Sequence, residues 1–141
     1  MAEHQELLEL FYSVLRKMKK EWHKQLYEIN PTQYLILKAL IHGGPQKATE
    51  LAETLQITPG AITGASDKLV SEGYAERKGA KEDRRVVYLE ITDKGKQLTA
   101  SLIENQNKVM AKFFEGLPEE DIDHLIRIYH IISDNLDNRS S

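Results

Sequence analysis

Apolar residues recur at three- and four-residue steps over most of this chain, and only one stretch alternates as a strand would. Leu7, Phe11, Val14, Met18, Trp22 and Leu26, with Lys, Glu and Arg between them, predict one long amphipathic helix over residues 3–28. Asn30 and Pro31 then supply a cap and a first-turn proline, with Gln33 at the capping-box position. The second helix carries Tyr34, Leu37, Leu40 and Ile41 and stops at His42-Gly43-Gly44-Pro45. A short third helix has Ala48, Leu51, Ala52 and Leu55 on one side. In the fourth, Thr58 is the cap and Pro59 the first residue, Ile62, Ala65, Leu69 and Val70 form the face to be buried, and Gly73 ends it. Residues 74–77 and 86–91 are the only plausible strands, and the polar, basic connection 78–85 is expected as an exposed hairpin tip. Thr92 caps a long helix running to about Phe114, which Gly116-Leu117-Pro118 breaks. The last helix holds Ile122, Leu125, Tyr129, Ile132 and Leu136, a seam that wants a partner helix, widened by Ile126, Ile128 and Ile131.

The fourth helix has a second face of small and polar residues: Gly60, Thr63, Gly64, Asp67, Lys68 and Ser71. Such a stripe lets another surface approach the helix backbone closely. A short helix, a tight turn and a helix of this kind make the helix-turn-helix plan, whose second helix enters a major groove. The basic hairpin that follows makes it a winged helix. Thr63 and Ser71 can hydrogen-bond phosphates or base edges, Lys68 can reach phosphate or guanine, and arginine at the tip suits a narrow minor groove. Asp67 is expected to pair with a cation of the wing or helix. The fold class is therefore mainly α with a small β-hairpin wing, and the partner is double-stranded DNA.

Composition narrows the setting. With 141 residues, 40% apolar and 29% charged, the chain has the make-up of one globular domain. No apolar run is long enough to span a bilayer, and MAEHQELLEL lacks the basic-then-apolar pattern of a secretory signal, so a cytoplasmic location is expected. The absence of cysteine removes disulfides, thiol catalysis and thiol redox sensing together. The net charge of −3 hides an uneven layout: residues 16–24 and 77–85 are basic, whereas 115–137 are acidic. Local patches, not the total, decide contact with a polyanion. The five histidines lie on different elements or at poor spacing, so neither a metal nor another cofactor is expected. No nucleophile elbow or phosphate loop appears, so the chain reads as no enzyme.

From about residue 7 to 137 the chain resembles the multiple antibiotic resistance regulator (MarR) family of bacterial transcription factors. The most specific stretch is ITPGAITGASDKLVSEGYAERKGAKEDRRVVYLEITDKG, residues 57–95. Asp83-Arg84-Arg85 matches the wing signature of Asp, any residue, Arg. Leu89, Ile91, Thr92 and Gly95 match the strand and helix start that follow, and Thr63, Asp67, Leu69 and Gly73-Tyr74 match the recognition helix and its exit.

The resemblance implies a single domain over 1–141, with a winged-helix lobe at 30–95 and a helical dimerisation lobe from 1–29 and 96–141. It implies that Thr58, Gly60, Ala61, Thr63, Gly64 and Lys68 face DNA. It also places Arg85 in the minor groove, oriented by Asp83, with Arg84 either a second DNA contact or a partner of Glu82. Many members carry arginine where this chain has Gly64, which weakens or changes base readout at that step. The implied function is a dimeric regulator of a pseudo-palindromic operator, with repression the family default. An effector cleft is implied near the first helix, for a small aromatic or anionic molecule. Arg16, Lys17 and Lys20 are its candidate cations, unless they are an ordinary solvated face; Trp22 and Tyr34 are lining or core. The alternatives are a winged helix used for protein interaction and a metal-responsive regulator of the same fold.

Overall fold

The computed structural model describes residues 2–83 and 85–140. Among them the elements run α1 (Ala2–Lys24), α2 (Pro31–Gly43), α3 (Ala48–Leu55), α4 (Pro59–Ser71), β1 (Ala75–Gly79), β2 (Val87–Ile91), α5 (Asp93–Phe113) and α6 (Glu119–Ser140). Residues 1–107 and 108–141 form two compact units. The core lies in the first, where Ile36, Leu37 and Leu40 of α2 meet Leu51 of α3, Ile62 and Leu69 of α4, Leu89 of β2 and Leu102 of α5. Each such fully buried aliphatic side chain stabilises by roughly 1.5–3 kcal/mol relative to exposure.

The caps follow the sequence closely. Asn30 accepts from the Gln33 amide at 2.9 Å while the Gln33 side chain accepts from the Asn30 amide at 2.8 Å, a reciprocal capping box. Gly44 closes α2 with φ +72. Gly73 does the same after α4 at φ +82, and Tyr74 still donates its amide to Leu69 at 2.9 Å.

Three boundaries differ from the periodic reading. The first helix stops at Lys24 rather than 28, because Gln25 and Leu26 tighten into bonds to Trp22 and His23 and Glu28 turns left-handed at φ +69. The chain must reverse there, since Asn30 has to be extended to start α2 at Pro31. The first strand runs over Ala75–Gly79 because the Tyr74 amide belongs to the cap of α4, and β2 starts at Val87 rather than Val86. The antiparallel register pairs Ala75 with Ile91, Arg77 with Leu89 and Gly79 with Val87. Gln46 adds an unexpected bridge to Leu89, through bonds of 2.8 and 3.1 Å, so the linker before α3 joins the hairpin edge.

Two helices keep apolar faces in the open. Leu7, Phe11 and Val14 of α1 are half or more exposed, as are Ile126, Tyr129 and Leu136 of α6. No helix among the described residues is long and apolar enough to cross a membrane.

Candidate nucleic-acid interface

At the start of α4, the Thr58 Oγ1 accepts from the Ala61 amide at 3.2 Å. That bond uses a lone pair and leaves the hydroxyl proton to donate outward. Thr63 donates its hydroxyl to the Pro59 carbonyl at 3.0 Å, and Ser71 donates to Lys68 at 3.0 Å. In this state both oxygens offer acceptors to an incoming partner. Gly60, Ala61, Thr63, Gly64 and Lys68 are all exposed, opposite the buried Ile62, Ser66 and Leu69. Ala65 and Val70, expected in the buried face, are only half-buried, and Ser66 takes the central place.

The two glycines of α4 are informative because no described residue packs against them. A Cβ built at Gly60 or Gly64 meets no atom within 4 Å. Each glycine inside a helix costs about 1 kcal/mol relative to alanine. The fold bears that cost without packing from the described residues in return.

The hairpin is coupled to this helix. Arg77 of β1 donates to the Asp67 carboxylate of α4, the pairing expected of Asp67. Lys78 pairs with Glu90 across the hairpin at 3.1 Å. Farther out, Asp83 accepts from the Arg85 amide at 3.0 Å, from its Nε at 3.2 Å and from Nη2 at 3.3 Å. This fork-like contact holds the Asp83 carboxyl below its ordinary value, through the side chain first and the amide second. Arg85 nevertheless keeps 90% of its side chain exposed, so its guanidinium is both restrained and presented. Arg84 lies outside the described residues.

The residues named for an effector are less concentrated. Arg16, Lys17 and Lys20 are exposed on α1. Trp22 is half-buried, with its Nε1 enclosed and without a hydrogen-bond partner among the described residues. Tyr34 belongs to the core at 6% exposure, with Lys38 Nζ 5.3 Å from its ring centroid and its hydroxyl pKa raised by burial. A cleft of about 370 Å³ is lined by Leu40, Ile41, Pro45, Ile91, Glu90 and Lys96. A smaller one of about 110 Å³ is bounded by Thr63, Ser66, Arg77 and Leu89. None of the five named residues lines either.

Sequence reasoning missed Arg77 and Ser66. Arg77 was readable only as one cation of a basic stretch, because its partner is ten residues away on another element. Ser66 carries a buried hydroxyl without a partner among the described residues, and a serine amid small residues gave no signal of that. Among the described residues no three His, Asp or Glu side chains gather as a metal site.

Comparison with known proteins agrees with this architecture. The profile of the MarR family matches residues 29–87. The HTH-type transcriptional repressor MdtR of Bacillus subtilis is 29% identical over 80% of this chain and 72% of its own. A MepR-like protein, solved in complex with pseudoligands, is 33% identical with a TM-score of 0.63, covering 96% of this chain and 97% of that one. A MarR family protein from Bacillus stearothermophilus superposes with a TM-score of 0.83 at 22% identity, over 94% of both chains. With its winged helix, its wing signature and these relatives, the chain belongs to the MarR family and is a transcription regulator, not an enzyme.

Proposed function

We propose that this regulator is a homodimeric, sequence-specific DNA-binding repressor. In this reading α4 lies in the major groove and the wing reaches the adjacent minor groove. Thr58 donates to phosphate, Gly60, Ala61 and Gly64 admit the backbone, and Thr63 and Lys68 meet base edges or phosphates. Arg85, oriented by Asp83, enters the minor groove, and Arg84 is a further contact on the same tip. The observation that carries the reading is the glycine pair of α4, unexplained by internal packing, beside an arginine that its own aspartate holds outward. The repressor role is supported by the name of the MdtR relative.

The division of labour proposed is a winged-helix lobe at 30–95 and a dimerisation lobe from 1–29 and 96–141. The exposed apolar faces of α1 and α6 support a two-fold assembly. Two recognition helices would then sit about 34–36 Å apart, one turn of DNA. A small aromatic or anionic effector is proposed to act near α1, with Arg16, Lys17 and Lys20 as cations and Trp22 as lining. Tyr34, being buried, would respond only through the core. The solved MepR-like relative with its pseudoligands supports looking for one.

The test is selection of duplexes from a random-sequence library by the purified protein, followed by footprinting. Two protected half-sites one helical turn apart are expected. No enrichment, or protection of one unpaired site, contradicts the proposal.

A further inference from the structure

The turn between α1 and α2 is tied to the exit of α4 by a bond that no periodicity announces. Tyr74, the residue after Gly73, is 4% exposed, and its hydroxyl donates to the Glu28 carboxylate. Glu28 sits at φ +69, a left-handed conformation that residues other than glycine adopt only when their surroundings hold them. The Lys94 ammonium lies 4.8 Å from the Tyr74 ring centroid and donates to the Glu72 carbonyl at 2.7 Å. Thr92 donates its hydroxyl to the Gly73 carbonyl at 2.6 Å and its amide to the Tyr74 carbonyl at 3.1 Å. On the other side of the turn, the Tyr27 hydroxyl is 2.8 Å from Ser101 Oγ of α5. Residues 72–74 are thus clasped between the start of α5 and the turn that leads into α2. Burial of the ring needs only a phenylalanine; the hydroxyl and its carboxylate add direction.

We infer that Tyr74 is a positioning residue: its bond to Glu28 trims the tilt of the recognition helix, which Ile62 and Leu69 seat on the core, and so the separation of the two recognition helices in the dimer. The inference rests on the DNA-binding reading above. α4 has 13 residues, so it is a lever of about 20 Å from Ser71 back to Pro59. A swing of about 5° at the exit displaces the far end by about 2 Å, more than half of the roughly 3.4 Å between base pairs. The hydrogen bond to Glu28, more than burial, pushes the Tyr74 hydroxyl up to about 12, so the phenol stays a donor across the physiological range.

The experiment uses the duplex that the wild type selects from a random-sequence library, random-sequence DNA, and versions of the selected duplex with one base pair inserted or removed between half-sites. The variants are Tyr74→Phe, Glu28→Ala and Glu28→Gln, the last keeping an acceptor for the phenol. Tyr74→Phe and Glu28→Ala are expected to bind the selected duplex about three- to tenfold more weakly, as loss of one net hydrogen bond implies. They should bind random DNA as the wild type does and lose discrimination between spacings, while Glu28→Gln keeps it. Equal weakening on every duplex, or an unchanged spacing preference, overturns the positioning role. Should Tyr74→Phe fail to fold, the exposed Glu28 still decides the matter. A wild type that enriches no duplex removes the DNA-binding reading itself and this role with it, an outcome distinct from a wild type that selects a site which Tyr74→Phe reads equally well.

Discussion

Glycine at 64 and glycine at 95 look alike on the page of sequence and do opposite things in the fold. At Gly64 a methyl group meets open space, so Gly64→Ala should raise stability by up to about 1 kcal/mol, read as a higher Tm. The same methyl should weaken DNA binding, because it stands where a groove must come close. A variant that is more stable and binds as tightly as wild type contradicts the use proposed for this face. At Gly95 a methyl group would sit 2.1 Å from the Tyr74 carbonyl oxygen, so Gly95→Ala should cost about 1–3 kcal/mol in denaturant unfolding. Asp83 makes a prediction about pH. Its carboxyl is held below the ordinary value of 3.8, so its bond to Arg85 is intact above that value and is lost only as pH falls through the lower, folded one. The Arg85 Nε resonance should therefore stay constant between about pH 5 and 8, and a titration there near neutrality would show the pairing to be wrong. Gly95 and Asp83 could both be matched to a family pattern in the sequence, but their physical reasons, a carbonyl in the way and a three-bond grip, needed coordinates.

Helices whose ends are written in local chemistry were legible beforehand. Asn30 with Gln33, and Thr58 with the adjacent Pro59, open α2 and α4 because capping depends on residues within three of each other. The end of α1 was not legible, because the apolar rhythm runs on through Leu26 while the chain has already turned to meet Asn30. The bridge from Gln46 to Leu89 was hidden for a related reason, and so was which cation Asp67 would take. Each joins residues far apart in sequence, and periodicity carries no information about which elements meet. The wing and recognition helix are consequently more strongly coupled than their separate motifs suggested, through Asp67–Arg77 at the middle of α4, while Tyr74–Glu28 ties the end of α4 to the turn before α2.

For the whole molecule, the unmatched apolar faces of α1 and α6 were readable as a surplus in the pattern, and they remain uncovered in the single chain. What covers them is a matter of assembly, which no intrachain periodicity encodes. Deleting residues 117–141 should yield a monomer by sedimentation and abolish operator-specific binding; a truncated chain that is monomeric and still binds its operator tightly contradicts the dimeric reading. The basic tip at 77–85 and the exposed start of α4 make the further claim that binding is electrostatic despite a net charge of −3. The most direct test is titration of the selected duplex at several salt concentrations, with wild type and Arg85→Ala side by side. A log–log slope with magnitude of roughly 5 to 10 per dimer is expected, reduced by about 2 in Arg85→Ala, one cation from each wing. A slope near zero, or one that Arg85→Ala leaves unchanged, would contradict it.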